Sequence, residues 1–376
     1  MAAPSVLGLI SHKVFPAQMG GQKCIAGFYA HLSKWVPVIL AASCENKNSS
    51  ENHYPVLPFL YNHWWGFMNL FRLYRLHKLI REKKITVLIV ELSYFGWLGL
   101  LLRRITKVPV IIHSHNIESL RFKDLQKSWW RLYELYEKRI HRKANHSFFI
   151  TEEDRNWAIS HWQLPPSTCS VITYGTELTE PAKFEEKQSY RNQLLAEYSL
   201  EASTRLFYFN GSLDYLPNTD ALRIILNELI PLLHSVDFRF RIFVSGANLS
   251  DQWKQALAGY PEIIYIGFSS NPKKFYIGAD CFINPVTLGA GIKTKLVEAL
   301  AYNQASISTK AGAKGIDANM IGGRLFLVDD YDWYRFAAAM VKMDLSKIGN
   351  TSADFYKEFN WNNIIQKALI SLQSYV

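Results

Sequence analysis

The sequence predicts an α/β fold in which two Rossmann-like, doubly wound parallel-sheet domains follow one another along the chain. Short runs rich in β-branched and aromatic residues alternate with helical patterns, as expected of parallel sheets covered by helices. A polar stretch at residues 176–203 interrupts this alternation and indicates a domain junction. At 376 residues, the chain is long enough to form two separate cores.

We assign residues 1–180 to an N-terminal domain and residues 181–200 to a linker. Strands of the first domain are predicted at residues 6–10, 36–41, 86–91, 108–113, 146–150 and 169–175. Its helices are predicted at residues 21–34, 65–83, 94–105, 127–143 and 152–161.

The alternation resumes in a C-terminal domain at residues 201–355. Its strands are predicted at residues 206–210, 240–245, 263–266, 281–284, 305–309 and 325–328. Helices are predicted at residues 218–233, 250–257, 272–277, 293–302 and 332–343, and an amphipathic helix at 361–376. Two such domains leave an interdomain cleft at the carboxyl ends of both sheets, where ligands bind in folds of this kind.

The composition is that of a globular protein, with 49% hydrophobic and 20% charged residues. No apolar stretch is long enough to predict a membrane-spanning helix, and the first residues do not resemble a signal peptide. The four cysteines are scattered, which predicts no metal site and fits a reducing cytoplasm; they are Cys24, Cys44, Cys169 and Cys281.

The net charge of +10 is unevenly distributed. Residues 1–175 contain 22 basic and 11 acidic residues, whereas the remaining residues contain 20 and 21. This asymmetry indicates that the first half faces an anionic partner, such as a membrane surface or a phosphorylated acceptor. The alternative interpretation is a soluble enzyme whose surface is simply basic.

The segment FINPVTLGAGIKTKLVEALA, at residues 282–301, is the most informative part of the chain. An apolar run ends at Asn284-Pro285, which cannot continue as a central strand, and the glycines at 289 and 291 precede a helical pattern. A strand, a glycine turn and a helix start together direct backbone N–H groups and a positive helix end toward an anion. A plain helix-initiating turn is the alternative.

Charged residues within this segment favour the ligand-binding interpretation. Lys293 and Lys295 would add cationic partners for phosphate oxygens, although lysines in a first helical turn can also simply face solvent. Glu298, one to two turns into the helix, would suit a pair of hydroxyls such as those of a ribose. The segment therefore predicts a site for a nucleotide diphosphate.

Further segments occur in a specific order along the chain. They are Phe15-Pro16 with Gly20-Gly21, HSHNIESLRF (113–122), FFITEEDRNWA (148–158), VITYGT (171–176), FNGSLDYLPNTDAL (209–222), NPVTLGAGIKTKLVEALA (284–301), ISTKAGAKGI (307–316) and Phe359-Asn360-Trp361. Together they resemble the retaining GT-B glycosyltransferases of the family-four type, also called glycosyl transferases group 1. The resemblance spans nearly the whole chain and implies that residues 356–376 form a helix crossing back to the first domain.

The resemblance implies roles for individual residues. Glu298 would hold the ribose hydroxyls of the donor, as the second Glu of a Glu-x7-Glu motif. Ala290 stands where the first Glu is common, so the contact to the transferred sugar must come from backbone N–H groups or another side chain. Ser212 and the Pro217-Asn218 pair stand where many members carry Arg and Lys, so positive charge must come from Lys293, Lys295 and the helix N-terminus.

The implied donor-binding residues are Gly20, Gly21, Gly211, Ser212, Gly267, Phe268, Gly289, Ala290, Gly291, Ile292, Lys293, Lys295 and Glu298. The implied catalytic residues are His115, Lys295 and Glu298. His115 would lie beside the transferred sugar, or alternatively be a turn histidine next to Asn116. His113 is expected to point the other way, into the packing. Glu118 and Arg121 either pair on a helix or touch substrate.

The implied reaction is hexosyl transfer from a UDP- or GDP-sugar to a hydroxyl, with retained anomeric configuration, in the synthesis of cell-surface polysaccharide or glycolipid. The leaving diphosphate would take the acceptor proton, and the protein would position the reactants and stabilise charge. No metal is implied, because no Asp-x-Asp pair lies near the glycine turn. No cofactor is implied besides the nucleotide sugar.

Residues 61–84 are aromatic at first and basic later, with Arg72, Arg75 and Lys78 recurring every three residues. They predict either a sheet-covering helix with a basic outer face or a surface that docks on an anionic membrane carrying a lipid-linked saccharide acceptor. We therefore expect a cytoplasmic protein, either free or peripheral on the inner face of the membrane.

Other functions fit the sequence less well. A GT-B epimerase or phosphorylase lacks its expected markers. A binding or scaffold protein with an inactive donor site is favoured by Ala290 and Ser212. Nucleic-acid binding is disfavoured, because the aromatic residues fall in helix-like and strand-like runs rather than forming a stacking platform.

Overall fold

The computed structural model describes residues 3–17, 19–47, 53–269 and 271–376. The chain divides into two compact units, one made of Met1–Gly175 with Trp361–Val376 and the other of Thr176–Asn360. In the described residues, the first unit contains a seven-stranded sheet and the second a six-stranded sheet. All strand pairs are parallel, and helices connect them. The predicted fold class of two Rossmann-like domains is confirmed.

The first unit begins with β1 and holds the basic half of the chain. Its strands are β1 (Val6–Ile10), β2 (Val38–Ser43), β3 (Val56–Leu60), β4 (Val87–Glu91), β5 (Val110–Ser114), β6 (His146–Phe149) and β7 (Cys169–Val171). Its first six helices are α1 (Gly20–Leu32), α2 (Leu73–Glu82), α3 (Gly96–Thr106), α4 (Glu118–Asp124), α5 (Trp130–Lys143) and α6 (Glu152–Trp162). The strand order is β3-β2-β1-β4-β5-β6-β7.

The second unit repeats this architecture. Its strands are β8 (Arg205–Asn210), β9 (Phe240–Ser245), β10 (Ile263–Gly267), β11 (Cys281–Asn284), β12 (Ser306–Thr309) and β13 (Leu325–Val328). Its helices are α7 (Phe184–Glu197), α8 (Leu216–Ile224), α9 (Ile230–His234), α10 (Asp251–Ala258), α11 (Lys273–Gly278), α12 (Thr294–Ala301), α13 (Trp333–Lys342) and α14 (Ala353–Phe359). The strand order is β10-β9-β8-β11-β12-β13.

In each sheet the strand order reverses at one point, between β1 and β4 in the first and between β8 and β11 in the second. Doubly wound sheets bind ligands beyond the carboxyl ends of their strands at such a switch point. The loops that start at Gly211 and Pro285 follow β8 and β11, so they flank the switch point of the second unit. The sheet topology therefore places the segment 282–301 where a ligand is expected.

Some elements differ from the prediction. β3 has no predicted counterpart, because it is an edge strand, is only partly buried and contains Pro58. The predicted linker 181–200 contains α7, which packs on α11 in the second unit and buries Leu194 and Leu195. With few apolar residues to mark a face, the sequence of α7 resembles a polar connection.

Two predicted helices are interrupted. The predicted helix 65–83 is a 3₁₀ segment, His63–Arg72, followed by α2. The predicted helix 218–233 is divided into α8 and α9 by a π-helical turn at Ile225–Leu229. The helices α4, α7 and α14 were not among the predicted elements, since none of them carries a long apolar periodicity.

The C-terminal helix α15 (Trp361–Gln373) belongs to the first unit, where it packs on α1. Trp361 begins this helix and stacks on His31, with ring centroids 5.4 Å apart. A Cβ at Gly27 or Gly175 would lie only 2.6 or 2.5 Å from the indole of Trp361, so both glycines make room for this ring.

Replacing Trp361 with alanine is expected to destabilise the first unit by about 3–5 kcal/mol, because a large buried ring would leave a cavity between α1 and α15. Urea unfolding followed by a probe of the first unit measures the change. The exposed Trp64 replaced by alanine is the control, with an expected change within about 0.5 kcal/mol. A similar change in both variants would contradict this role of Trp361.

Candidate functional site

The glycine loop, residues 285–293, connects β11 to α12 at the switch point of the second sheet. Gly289 and Gly291 have φ angles of +84° and +72°, a left-handed conformation that favours glycine. A Cβ at Gly289 would lie 3.0 Å from Cγ of Pro217 and 3.3 Å from the hydroxyl of Tyr215. Both the conformation and the close approach therefore require glycine at this position.

The backbone of the glycine loop presents unused hydrogen-bond donors. Within the described residues, the N–H groups of Gly289, Ala290, Gly291 and Ile292 donate no hydrogen bond. The loop leads directly into the positive N-terminal end of α12. Such an arrangement favours a bound anion.

Lys293 and Lys295 have different surroundings. The Lys293 ammonium donates to the carbonyl oxygens of Gly289 (2.7 Å), Ala290 (3.4 Å) and Gly291 (3.0 Å), and so closes the glycine loop on itself. The Lys295 ammonium donates to Oδ1 of Asn218 at 2.8 Å. Lys293 thus shapes the loop, whereas Lys295 projects toward the loop that follows β8.

Lys295 is buried beside a second positive charge without an acidic partner. Its Nζ makes a cation–π contact with Phe209, 4.6 Å from the ring centroid, but no carboxylate contacts it in the described part of the chain. Burial, and then the neighbouring charge of Lys293, lowers the pKa of Lys295 to about 7. A bound phosphate would restore the charged form by supplying the missing anion.

The carboxylate of Glu298 is held in place by a hydrogen-bonded chain. The buried hydroxyl of Tyr276, in α11, donates to Oε2 of Glu298 at 3.1 Å and accepts from the Asn210 amide at 3.1 Å. Asn210 is the last residue of β8, so the chain of contacts links Glu298 to the switch point. Burial, and then the charge of Glu298, raises the pKa of Tyr276 well above its usual range.

The loop after β8 is organised by Asn218. Its side-chain amide donates to the carbonyl oxygen of Ser212 at 2.8 Å, while its Oδ1 accepts from Lys295. The Ser212 hydroxyl donates to Asp214 at 2.6 Å, and a Cβ at Gly211 would lie 2.7 Å from Asn218. Asn218 therefore connects the two loops that flank the switch point.

Two further glycines, Gly246 and Gly267, lie at the carboxyl edge of the second unit's sheet. Gly246 follows β9 and donates to the carbonyl oxygen of Gly267, at the end of β10. A Cβ at Gly246 would lie 1.9 Å from the carbonyl oxygen of Gly211, so Gly246 allows this close approach. Gly267 has a φ of +69°, and the side chain of Phe268 is 61% exposed.

In the first unit, Glu91 and two histidines gather at the corresponding edge. Glu91 ends β4 and is paired in register with His113 of β5, and His115 follows the end of β5. Nδ1 of His113 is 3.2 Å from one carboxylate oxygen of Glu91, and Nε2 of His115 is 2.7 Å from the other. The expectation that His113 points the other way from His115 was wrong: residues two apart lie on the same face of a strand, and both rings converge on one carboxylate.

The electrostatics of this group follow from its burial. Burial acts to raise the pKa of Glu91, but the two histidines hold it well below its usual range. Burial, and then the charge of His113, lowers the pKa of His115. Ligand atoms of the three side chains lie within 4.8 Å of one another, which is close enough to coordinate a metal ion. Because Nδ1 of His113 and Nε2 of His115 each face a different oxygen of Glu91, two hydrogen bonds explain the arrangement without a metal ion.

A second buried network lies beside this group. Glu118 accepts a hydrogen bond from the Tyr94 hydroxyl at 2.6 Å and from Arg121 at 2.7 Å, so the ion pair on the helix is present. Glu137, in α5, accepts from the backbone N–H groups of Glu118 (3.0 Å) and Ser119 (2.9 Å). Burial raises the pKa of Glu137 to about 8.

The loop after β1 lies at the switch point of the first sheet. The backbone N–H groups of Val14 and Phe15 donate to Oδ1 of Asn46, which anchors the loop. Gly20 and Gly21 begin α1, and among the described residues a Cβ at Gly21 would meet no atom within 4 Å. Neither a close contact nor a left-handed φ therefore requires glycine at position 21.

The structure groups the predicted residues by unit. Those of the second unit surround the carboxyl ends of β8 and β11, except Gly267 and Phe268, which lie two strands away and connect through Gly246. Gly20, Gly21 and His115 follow β1 and β5 of the first unit. Sequence reasoning missed Glu91, Tyr276, Asn210 and Gly246, for which no local motif exists.

Models of two protein families match the sequence. The model described as Glycosyltransferase Family 4 matches residues 20–180, and the model described as Glycosyl transferases group 1 matches residues 204–343. Together they span both units. A search of curated proteins found no match.

Several solved structures match nearly the whole chain. Anabaena HepE, determined with UDP and glucose, shares 15% identity at a TM-score of 0.74, covering 99% of this chain and 100% of its own. Sucrose-phosphate synthase from Thermosynechococcus elongatus shares 15% identity at a TM-score of 0.74, and the match covers 99% of each chain. The apo form of the lipopolysaccharide outer core galactosyltransferase WaaB shares 12% identity at a TM-score of 0.66. The match covers 99% of this chain and 100% of WaaB. At these identities the likeness establishes the fold.

Proposed function

The chain belongs to the GT-B glycosyltransferases of group 1, and on that premise we propose that it transfers a hexosyl group from a UDP- or GDP-sugar to a hydroxyl acceptor, with retention of configuration. One observation carries this proposal. The glycine loop offers N–H groups that donate no hydrogen bond to any described residue, at a helix N-terminus flanked by Lys295 and Glu298 and at a sheet switch point.

The diphosphate of the donor would bind the glycine loop. The N–H groups of residues 289–292 and the ammonium of Lys295 supply hydrogen bonds and positive charge, which take over the role of the basic residues absent at Ser212 and Asn218. Glu298, oriented by Tyr276, would accept hydrogen bonds from both ribose hydroxyls. The exposed ring of Phe268 is suited to stacking on the base.

In the proposed reaction, the bond between the anomeric carbon and the diphosphate oxygen breaks while the acceptor oxygen bonds to the same face of the sugar. The acceptor proton passes to the leaving diphosphate, so charge and atoms balance without a protein nucleophile. Lys295 and the loop N–H groups stabilise the charge that develops on the diphosphate. His115 contributes a polar contact to the reacting sugars.

A donor screen tests the proposal. UDP- and GDP-sugars are incubated with the protein, with and without EDTA, and release of the nucleotide diphosphate is measured. We expect one donor to be used, with EDTA having little effect, since the loop and Lys295 supply the positive charge. Release from no donor, with or without added metal ions, would contradict the proposal.

Replacing Gly289 with alanine is expected to weaken nucleotide diphosphate binding at least about tenfold, or about 1.4 kcal/mol. The new methyl group would meet Pro217 and force the loop away from its left-handed conformation. Gly323→Ala is the matched control, because Gly323 has a similar φ of +80° but no described atom lies within 4 Å of its Cβ position. Calorimetric titration should show weaker binding only for Gly289→Ala; equal loss in both variants would mean that the loss comes from general damage to the second unit and not from the glycine loop.

We further propose that the acceptor is lipid-linked and that the protein works on the cytoplasmic side of an anionic membrane, in the synthesis of cell-surface polysaccharide or glycolipid. No helix in the described ranges is long and apolar enough to cross a bilayer. The segment His63–Arg72 and the start of α2 instead expose large apolar side chains among basic ones. Most exposed are Trp64, Trp65, Phe67, Phe71 and Tyr74, at 60–79%.

Aromatic and basic side chains on one surface favour interfacial binding to anionic lipid. Trp64→Ala with Phe71→Ala is expected to reduce co-sedimentation with phosphatidylglycerol-containing liposomes at least about tenfold. Tyr331→Ala with Tyr334→Ala, which removes two similarly exposed rings of the second unit, is the control and should bind like the wild type. Equal binding to neutral and anionic liposomes at low salt would contradict docking on an anionic membrane.

A scaffold protein with an inactive donor site is the second candidate. It is favoured by the Lys293 ammonium, which is bonded to loop carbonyl oxygens, and by Ala290. Calorimetry separates the two functions. If no nucleotide diphosphate binds and Glu298→Ala behaves like the wild type, the scaffold function is supported instead.

A further inference from the structure

Glu91 is a fully buried carboxylate that the proposed reaction does not use. One of its oxygens is 3.2 Å from Nδ1 of His113, and the other is 2.7 Å from Nε2 of His115. His113 is only 1% exposed, whereas the His115 side chain is 10% exposed. Of the two rings, only that of His115 can therefore reach a ligand.

These contacts decide which nitrogen of each ring carries hydrogen. An ionised carboxylate can only accept hydrogen bonds, so Nδ1 of His113 and Nε2 of His115 must be the donors. The neutral His115 ring then has its lone pair on Nδ1, which makes no hydrogen bond in the described ranges of the chain. This nitrogen can accept a hydrogen bond but cannot donate one.

We infer that Glu91 is a positioning residue, which fixes His115 as the Nε2–H tautomer and so presents Nδ1 as an acceptor to a hydroxyl of the reacting sugars. The inference rests on the proposed function for the identity of the hydroxyl, but the tautomer itself is independent of it. The orientation of a catalytic imidazole by a buried carboxylate is an established principle in enzymes.

His113 explains why the carboxylate keeps its orientation. Its ring lies 4.7 Å from the ring of Phe28 and 6.0 Å from that of Phe148, and it bonds the second oxygen of Glu91. In a continuous strand, residues 113 and 115 would point to the same face. Because β5 ends at Ser114, His115 approaches Glu91 from beyond the strand end.

The tautomer can be measured directly. Long-range ¹H–¹⁵N spectra of the ¹⁵N-histidine-labelled wild type, with His115→Gln used to assign the signals, should show a protonated Nε2 and an unprotonated Nδ1 for His115. Glu91→Gln should give a mixture of tautomers, because a glutamine amide can either donate or accept. A protonated Nδ1 in the wild type would overturn the inference.

Kinetics supply the second measurement. Glu91→Gln is expected to lower kcat about 10²-fold with little change in the KM of the donor, and Glu91→Asp to recover part of the loss. Glu137→Gln is the matched control, since it removes another buried carboxylate of the same unit that does not contact the histidines. It should retain the wild-type kcat and the wild-type His115 spectrum.

The outcomes are distinguishable. If the wild type transfers no sugar from any donor, the proposed function fails, while the spectrum still reports the tautomer. If the wild type is active and Glu91→Gln keeps its kcat within about twofold, the positioning role alone fails. Stoichiometric zinc in the purified protein that is lost in His113→Ala would also overturn the inference, because the three side chains would then be metal ligands.

Discussion

Replacing Glu298 with glutamine is expected to lower kcat/KM for the donor about 10²-fold or more. A carboxylate that accepts two ribose hydroxyls makes charge-assisted hydrogen bonds worth about 1.5–3 kcal/mol each, and an amide can replace at most one of them. Tyr276 and Asn210 hold the carboxylate in place, so little binding energy is lost to ordering it. Steady-state kinetics with varied donor concentration measure the effect.

Two further variants separate this role from general damage. Tyr276→Phe removes only the hydroxyl that orients Glu298 and should lower kcat/KM for the donor about tenfold. Glu201→Gln changes an exposed carboxylate of the same unit, paired with Arg239, and should leave kcat/KM unchanged. If Glu298→Gln retained kcat/KM within about threefold, Glu298 would not be the ribose contact.

Replacing Lys295 with methionine is expected to lower kcat about 10²–10³-fold, as for loss of one donor that stabilises developing charge. The same change should stabilise the free protein at pH 7. Burial, and then the charge of Lys293, lowers the pKa of Lys295 from its ordinary value of 10.5 to about 7, so protonation opposes folding fully below pH 7 and ceases to do so above about pH 10.5. Loss of activity together with a gain in stability would be specific to a functional lysine.

The lowered pKa of Lys295 also predicts proton uptake on binding. Because its pKa is lowered to about 7, Lys295 is only partly protonated in the free protein at pH 7, and a bound diphosphate should bring the protonated fraction close to one. Calorimetric titration in buffers of different ionisation enthalpy should therefore report uptake of a fraction of a proton per ligand. Lys295→Met should bind more weakly and show no such uptake; equal uptake in both proteins would assign the proton to another group.

The fold followed from the sequence wherever strands are buried on both faces, because their apolar runs are continuous, as in β4 and β5. Prediction failed where an element is only partly buried. The edge strand β3 contains Pro58, and α7 buries only Leu194 and Leu195 along 14 residues. The sequences of β3 and α7 therefore do not differ enough from that of a loop to predict a strand or a helix.

In the candidate site, likewise, some residues could be predicted from the sequence and others could not. Residues 289–298 could be predicted as a candidate site because a glycine turn and a helix start are local features with a chemical meaning. The partners that orient them are distant in sequence, as with Lys295 and Asn218 or Glu298 and Tyr276, so only the folded chain reveals them. Glu91 belongs to the same category, since the strand register of β4 and β5 brings it to His113.

The central claim is that the glycine loop and its flanking side chains bind a nucleoside diphosphate. Calorimetric titration of UDP and GDP into the wild-type protein and into Glu298→Gln tests it most directly. We expect saturable binding of one molecule of one of the two nucleotides per chain, and a loss of most of that affinity in the variant. Absence of binding of either nucleotide to the wild type, or equal binding to both proteins, would contradict the claim.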